Sequence, residues 1–168
     1  GMLCKPGGEY QKMVIQVRDH LVRTAPIARA IGRSFGLIPD ECFSLALLHD
    51  AGKLIIFDVI GTLRHETRRD VDVPRSVVSR VLRDVHEPLG GIAVLNWGLG
   101  EMVATSIAAH HRRPIPSVVD RMSEVLFVAE RADHALSGVI PRDVAAWWEE
   151  GAIYGDPARV EELISAYT

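Results

Sequence analysis

Apolar side chains recur every three or four residues along most of this chain, which is the period of an amphipathic helix. The clearest stripe runs from Met13 to Phe35 and stops before Gly36, a residue typical of helix ends. The pattern predicts a first helix over residues 10–35, with a kink at Pro26. No segment alternates apolar and polar residues as a half-buried strand would, so we predict an all-α fold.

The next apolar segment follows a favourable helix opening at Pro39 and Asp40. Residues 42–48 are almost wholly apolar, which predicts a short helix buried in the centre of the fold. Apolar residues continue from 51 to 60, whereas residues 61–72 are polar. That polar segment is predicted to be an exposed connection.

Prolines and glycines divide the second half of the chain into shorter predicted helices. The first of these helices spans residues 74–83, and after a break at His86-Glu87-Pro88 the second ends at Trp97. The next two span residues 103–109 and 117–136, and two further short helices end near Ala166. Trp97 is interpreted as a packing residue that caps its helix. One of Trp147 and Trp148 is expected to be exposed, because two neighbouring side chains of one helix cannot both face inward.

Composition and charge limit the class of protein. With 168 residues, 48% of them hydrophobic, the chain suits one domain, which we place at residues 10–168 after a tag remnant and N-terminal tail at 1–9. A formal net charge of -3 predicts no extended nucleic-acid binding. The two cysteines, Cys4 and Cys42, favour a reducing compartment, with Cys42 in the core. No apolar run approaches the roughly 20 residues of a membrane span, so a cytoplasmic protein without membrane contact is expected.

Histidines mark the candidate chemistry. Four positions at or near the ends of apolar helical segments carry them: His20, His49-Asp50, His86 and His110-His111. Imidazole and carboxylate groups from distant points of the chain can converge on one cation. His49 and Asp50 can act together, the ring on one ion and the carboxylate as a bridge to a second ion about 3.5–4 Å away. This distribution predicts a buried metal site built from several helices, whereas His65 and His134 are interpreted as surface histidines.

Several runs resemble the HD superfamily of metal-dependent phosphohydrolases, and within it the HDOD signalling domains. Residues 20–25, followed by residues 47–54 with the His49-Asp50 pair, are similar to the superfamily's first histidine helix and to its HD doublet. The similar elements downstream are Asp84-Val85-His86 with Gly90, Trp97-Gly98-Leu99 and residues 107–111. The resemblance covers residues 10–136 and implies an HD-like helical bundle with a metal site between its central helices.

The resemblance implies two metal positions. The first ion would be bound by His20, His49, Asp50 and Glu130, and the second by Asp50, as the bridge, with His86, His110 and His111. Superfamily members usually have Asp in place of Glu130, so Asp133, one turn on, is the alternative last ligand. The implied cofactor is one or two divalent ions, with iron, manganese, magnesium, nickel and zinc not distinguished.

The resemblance also assigns roles toward a phosphate-containing ligand. Asp50 and Lys53 would be the catalytic residues, with Lys53 facing the phosphate while water attacks phosphorus. Arg112 and Arg113, beside the second ion, are further candidates for binding the anion. The Gly-Tyr-Pro signature that follows the paired histidines of cyclic-di-nucleotide phosphodiesterases is absent, so that activity is not expected.

Two functions of different class follow. One is a bacterial signalling domain of HDOD type that retains a metal-competent site and acts on a protein partner through its exposed surfaces. The other is an active phosphohydrolase that cleaves a phosphoester or nucleotide. The likeness to HDOD domains favours the first, and the retained ligand types favour the second. We expect the signalling domain, with hydrolysis as the alternative.

Overall fold

The computed structural model describes residues 10–67, 73–111, 121–151, 153 and 155–166. Within these ranges the chain forms eight α-helices and no β-strand, which confirms the predicted all-α fold. The helices are α1 (Gln11–Ser34), α2 (Pro39–Leu48), α3 (Ala51–Thr67), α4 (Arg75–Asn96), α5 (Glu101–Ala108), α6 (Arg121–Leu136), α7 (Val144–Gly151) and α8 (Pro157–Ser165). None of these eight helices is long and apolar enough to cross a membrane.

The boundary between α1 and α2 follows from local chemistry. Gly36 adopts a φ of +73°, a left-handed conformation that glycine takes without a steric penalty. Pro39 opens α2 at a position where a helix needs no amide hydrogen. Both helices therefore end and begin within one residue of the prediction, and α1 contains Pro26 in its interior.

Two apolar clusters hold the helices together. The larger one is formed mainly by α1, α2, α5, α6, α7 and α8, with Ile31, Leu45 and Val125 almost fully buried. Each such side chain contributes about 1.5–3 kcal/mol by leaving water. Cys42 is fully buried in this cluster, as predicted. The smaller cluster packs α3 and α4 against the start of α1 around Phe57.

This packing fixes the helices that carry the histidines. His20 and His86 lie inside α1 and α4 rather than near helix ends as expected, and α4 continues through the break predicted at His86.

Two predicted breaks in helical structure are wrong. Helix α3 continues to Thr67, so residues 61–67 are helical rather than an exposed connection; they contain no proline, and polar side chains suit the solvent face of a helix. Helix α4 runs without interruption through Pro88. Asp84 and Pro88 are both exposed, so water can bind the Asp84 carbonyl that has no amide partner. Residues 68–72 and 112–120, which include the end of the predicted connection and the start of the helix predicted over 117–136, lie outside the described residues.

The tryptophans also differ from the expectation. Trp97 is the C-cap of α4, but 54% of its surface is exposed, so it is not a packing residue. Trp147 is buried, and Trp148 is half-buried and donates its indole N–H to the carbonyl of Gly155 at 2.6 Å. Neither member of the pair is exposed.

Candidate metal centre

Imidazole and carboxylate side chains from five parts of the fold meet in one place, which we call the His–carboxylate cluster. Its members are His20 on α1, His49 and Asp50 in the turn between α2 and α3, His86 on α4, His110 and His111 directly after α5, and Glu130 on α6. His20 is half-buried and His111 is exposed, while the other five are buried. The structure therefore brings together all seven residues that the sequence nominated as metal ligands.

A tight turn places His49 and Asp50 in the cluster. His49 is the C-cap of α2, and α3 begins at Ala51, so the two side chains project from the junction of two helices. Gly52 allows α3 to approach α4, because a Cβ at this position would overlap the backbone carbonyl oxygen of His86. The glycine therefore brings the turn within reach of His86.

Backbone carbonyls fix the tautomers of three histidines. The Nδ1–H groups of His49, His86 and His110 donate to the carbonyl oxygens of Ala46, Leu82 and Ile107 at 2.7, 2.5 and 2.6 Å. A carbonyl oxygen can only accept, so in each neutral ring the proton is on Nδ1 and the Nε2 lone pair is free. These Nε2 atoms face the centre of the cluster.

Asp50 lies between the two halves of the cluster. Its Oδ1 is 3.5 Å from His86 Nε2 and 3.6 Å from His110 Nε2, and its Oδ2 accepts a 2.6 Å hydrogen bond from Lys53 Nζ. Among the described residues, no hydrogen bond reaches Asp50 Oδ1, His86 Nε2 or His110 Nε2. Leaving such groups buried and unpaired costs about 1–3 kcal/mol each, a cost that a cation bound among them would remove. The donor set therefore fits a divalent metal ion.

Glu130 and Asp133 occupy different places on α6. Glu130 Oε1 lies 3.3 Å from His49 Nε2 and 4.0 Å from His20 Nε2. Asp133 is turned to the outer side of His20, where its oxygens accept hydrogen bonds from His20 Nδ1 and from Arg23. Glu130, rather than Asp133, is thus directed at the centre of the cluster.

The ligand atoms form three overlapping groups in which all atoms lie within 4.8 Å of one another. The groups are Asp50 with His86, His110 and His111; His20 with His49 and Asp50; and His49 with His110 and Glu130. Asp50, His49 and His110 each belong to two of them, so the three groups form one connected cluster of ligand atoms.

Burial and charge set the protonation states of the cluster. Burial opposes ionisation of Asp50, but His110, His49 and Lys53 lower the pKa of this carboxyl well below its usual range. Burial likewise opposes ionisation of Glu130, whose pKa falls to about 2 beside His49. Burial also lowers the pKa of His86 to about 4. Although His111 is exposed overall, its ring packs on His110 with centroids 4.1 Å apart, and desolvation there together with the charge of His110 lowers its pKa to about 4. At pH 7 both carboxylates are ionised and these two histidines are neutral, which are the states that bind cations.

Three residues around His20 were missed from the sequence. Arg23 and Thr24 lie three and four positions after His20, on the same helix face. This spacing could have indicated that their side chains contact the His20 ring or its partners. His134 is half-buried and stacks on His20 with ring centroids 5.3 Å apart, so its interpretation as a surface histidine is wrong. Arg112, Arg113 and the side chain of His65 lie outside the described residues.

An all-α fold around a buried set of imidazoles and carboxylates defines a class of helical proteins with a site for divalent cations. Residues 17–137 match the family model of the HD domain. The chain belongs to the HD domain family, as predicted, and thus to a superfamily of metal-dependent phosphohydrolase type. The closer likeness to HDOD domains stays a prediction.

One curated relative gives a comparison at the level of the sequence. The chain is 29% identical to Ribonuclease Y of Opitutus terrae over 103 residues, which cover 61% of this chain and 15% of that protein. The matched region is thus a small part of the relative's length. No solved structure matches the chain.

Proposed function

We propose that this chain is a metal-dependent phosphohydrolase domain that holds two divalent ions in the His–carboxylate cluster and cleaves a phosphoester. One observation carries the proposal: histidine Nε2 atoms with free lone pairs converge on two ionised carboxylates, and three of the buried polar atoms have no hydrogen-bond partner among the described residues. This arrangement is unfavourable without a cation and favourable with one.

The pair formed by His20 and His49 illustrates the argument. Their Nε2 atoms are 3.3 Å apart, while the Nδ1–H group of each ring is already used, by Asp133 and by the Ala46 carbonyl. Two lone pairs at this separation repel each other unless a proton or a metal ion lies between or beside them. A divalent ion satisfies both nitrogens together with the neighbouring carboxylates.

We assign the residues to two positions that share Asp50. His20, His49 and Glu130 would hold the first ion, and His86, His110 and His111 the second. Divalent ions in such a pair of positions lower the pKa of water and offset the negative charge on phosphoryl oxygens. The protein supplies the ligand geometry and the ionised carboxylates, and the exposed His111 marks the side open to a substrate.

Lys53 would bind the substrate anion. Its ammonium group has three N–H donors and gives one to Asp50 Oδ2, so the others can reach a phosphoryl oxygen. Its side chain is 23% exposed, which leaves it accessible from the surface. Arg112 and Arg113, which follow His111 directly, are proposed to bind the same anion. The name of Ribonuclease Y adds an RNA phosphodiester to the substrate classes worth testing.

The test combines metal content with turnover. Metal-free protein is loaded with Mn²⁺, desalted and measured by elemental analysis, then assayed on bis(4-nitrophenyl) phosphate, 4-nitrophenyl phosphate and a short RNA. We expect about two ions per chain and hydrolysis of at least one substrate. Asp50→Ala should lose the ions and the activity. Asp58→Ala, which changes the same residue type two turns further along α3, is the matched control and should retain both.

Two outcomes count against the proposal. An Asp50→Ala variant with full metal content would show that Asp50 is not a shared ligand. A wild-type chain that takes up no Mn²⁺, Fe²⁺ or Zn²⁺ would remove the metal centre altogether.

A signalling domain of HDOD type is the second candidate, and a surface feature favours it. Large apolar side chains are exposed together near the α4–α5 junction: Ile92, Leu95, Trp97, Leu99 and Met102. Five exposed large apolar side chains within eleven positions of the chain are a feature of surfaces that contact another protein. Two ions per chain without hydrolysis of any of the three substrates would favour this candidate, since a metal can serve structure alone.

A further inference from the structure

His20 is held differently from the histidines that donate to backbone carbonyls. His49, His86 and His110 each give Nδ1–H to a carbonyl three or four residues earlier in the chain, whereas His20 gives it to the carboxylate of Asp133 at 2.7 Å. Asp133 lies 113 positions away in the sequence, on α6. The orientation of this one ring therefore depends on tertiary packing between α1 and α6.

Arg23 fixes the carboxylate that holds His20. Its Nε donates to Asp133 Oδ1 at 2.7 Å and its Nη2 to Oδ2 at 3.1 Å, a two-pronged contact with defined geometry. The Asp133 side chain is 1% exposed, and the Arg23 side chain is 51% exposed. The buried carboxylate therefore depends on a cation at the surface.

Two further contacts hold His20 in place. The His134 ring stacks on it at an interplanar angle of 17°. The Thr24 hydroxyl donates to the His20 carbonyl at 2.8 Å, and its oxygen lies 3.2 Å from Nδ1. With Nδ1 committed to Asp133, the free lone pair is on Nε2, which faces the cluster.

We propose that Asp133 and Arg23 are positioning residues for His20, which make the His20–His49 position bind its ion more tightly than the position formed by His86, His110 and His111. The inference rests on the proposed metal centre. A carboxylate behind an imidazole orients the ring and increases the basicity of the opposite nitrogen, and loss of such a partner typically costs about 10–100-fold in metal affinity. The backbone carbonyls behind His86 and His110 carry no full charge.

The competing explanation is that the Arg23–Asp133 pair only joins α1 to α6. A purely structural role predicts a lower free energy of unfolding with unchanged metal affinity. The positioning role predicts a change at one metal position and in the spectrum of the ion bound there.

The experiment titrates metal-free protein with Co²⁺, followed by calorimetry and by the visible absorption of the bound ion. In Asp133→Asn we expect one of the two binding events to weaken by about 10–100-fold with an altered absorption spectrum, and the other to stay within about twofold. Arg23→Gln should weaken the same binding event. Because Arg23 is an exposed side chain, this variant is expected to fold and provides the test if Asp133→Asn does not fold.

Arg29→Gln is the matched control. Arg29 lies on the same helix, its side chain is also 51% exposed, and it forms an ion pair with Asp40 at 2.5 Å, outside the His–carboxylate cluster. Its Co²⁺ binding should equal that of the wild type. Unchanged affinities in both Asp133→Asn and Arg23→Gln, with two ions bound by the wild type, would overturn this inference alone. A wild type that binds no Co²⁺ would overturn the metal centre and this inference with it.

Discussion

At the scale of single residues, His49 is the histidine that lies close to both carboxylates of the cluster. It is fully buried, and its Nε2 lies 3.3 Å from Glu130 Oε1 and 3.7 Å from Asp50 Oδ2. Burial alone would lower the pKa of His49, but Glu130 and Asp50 raise it above its ordinary value. In the absence of metal, a proton on Nε2 therefore occupies a place that a metal ion would take.

This proton gives metal binding a pH dependence that differs between the two positions. Only a neutral imidazole can bind an ion, so an ion at the His20–His49 position must displace the His49 proton. Its affinity should increase by up to about tenfold per pH unit while the pH stays below the pKa of His49. His86 and His111, with pKa values of about 4, are already neutral and should release no proton between pH 6 and 8.

Calorimetric titration with Mn²⁺ in two buffers of different ionisation enthalpy measures the protons released by each binding event. We expect about one proton from His49 at the first position and none from His86 or His111 at the second. No proton release at the first position would contradict the assignment of the proton to His49. The same titration of Arg29→Gln shows whether a change of charge far from the cluster alters the number of protons released.

At the scale of elements, the contact between α3 and α4 decides whether the cluster forms. Gly52 packs against the His86 carbonyl and the amide of Gly90, so the two helices touch through backbone rather than side chains. This close approach sets the distance between Asp50 and His86. The α4–α5 pair uses a similar contact, since a Cβ at Gly91 would lie 2.8 Å from the Ala104 carbonyl.

The direction in which Gly52→Ala changes the free energy of unfolding tests this contact. Helix propensity alone predicts that alanine stabilises α3 by about 1 kcal/mol. The overlap with α4 predicts instead a loss of about 1–3 kcal/mol or more in the free energy of unfolding, because the helices must separate. Urea denaturation of the metal-free protein measures the difference, and elemental analysis should show a lower metal content. A stabilised variant with full metal content would show that α3 and α4 do not pack this closely.

At the scale of the whole molecule, the cluster connects segments that are far apart in the sequence. Its side chains come from α1, the α2–α3 turn, α4, the end of α5 and α6. Ions bound there would link five parts of the fold in addition to the packing of the two apolar clusters. Metal binding is therefore expected to stabilise the folded state as a unit.

A thermal melt measures this stabilisation. Free metal at 100 times its dissociation constant adds about 2.7 kcal/mol for one site, which for a chain of this length raises the Tm by about 5–10 °C. Mn²⁺ should produce this shift in the wild type and in Asp58→Ala, and almost none in Asp50→Ala. A Tm that is the same with and without metal would argue that the ions bind folded and unfolded chains alike.

Much of the helical framework could be predicted from the sequence because its signals are local. The apolar period of α1, the glycine after it and the proline that opens α2 each act within a few residues. The breaks expected at residues 61–67 and at Pro88 failed because a helix tolerates polar residues and an exposed proline when its other face is packed.

The sequence by itself determined the all-α class, the HD family and six of the seven residues that meet in the cluster, because helix periodicity and the spacing of short motifs are properties of neighbouring positions. Only the tertiary structure decided that Glu130 faces the cluster while Asp133 lies behind His20 with Arg23, and that Lys53 is bonded to Asp50. The reason is geometric. Residues one turn apart on α6 look alike in a sequence, and the packing of α1 against α6 determines which carboxylate reaches which nitrogen.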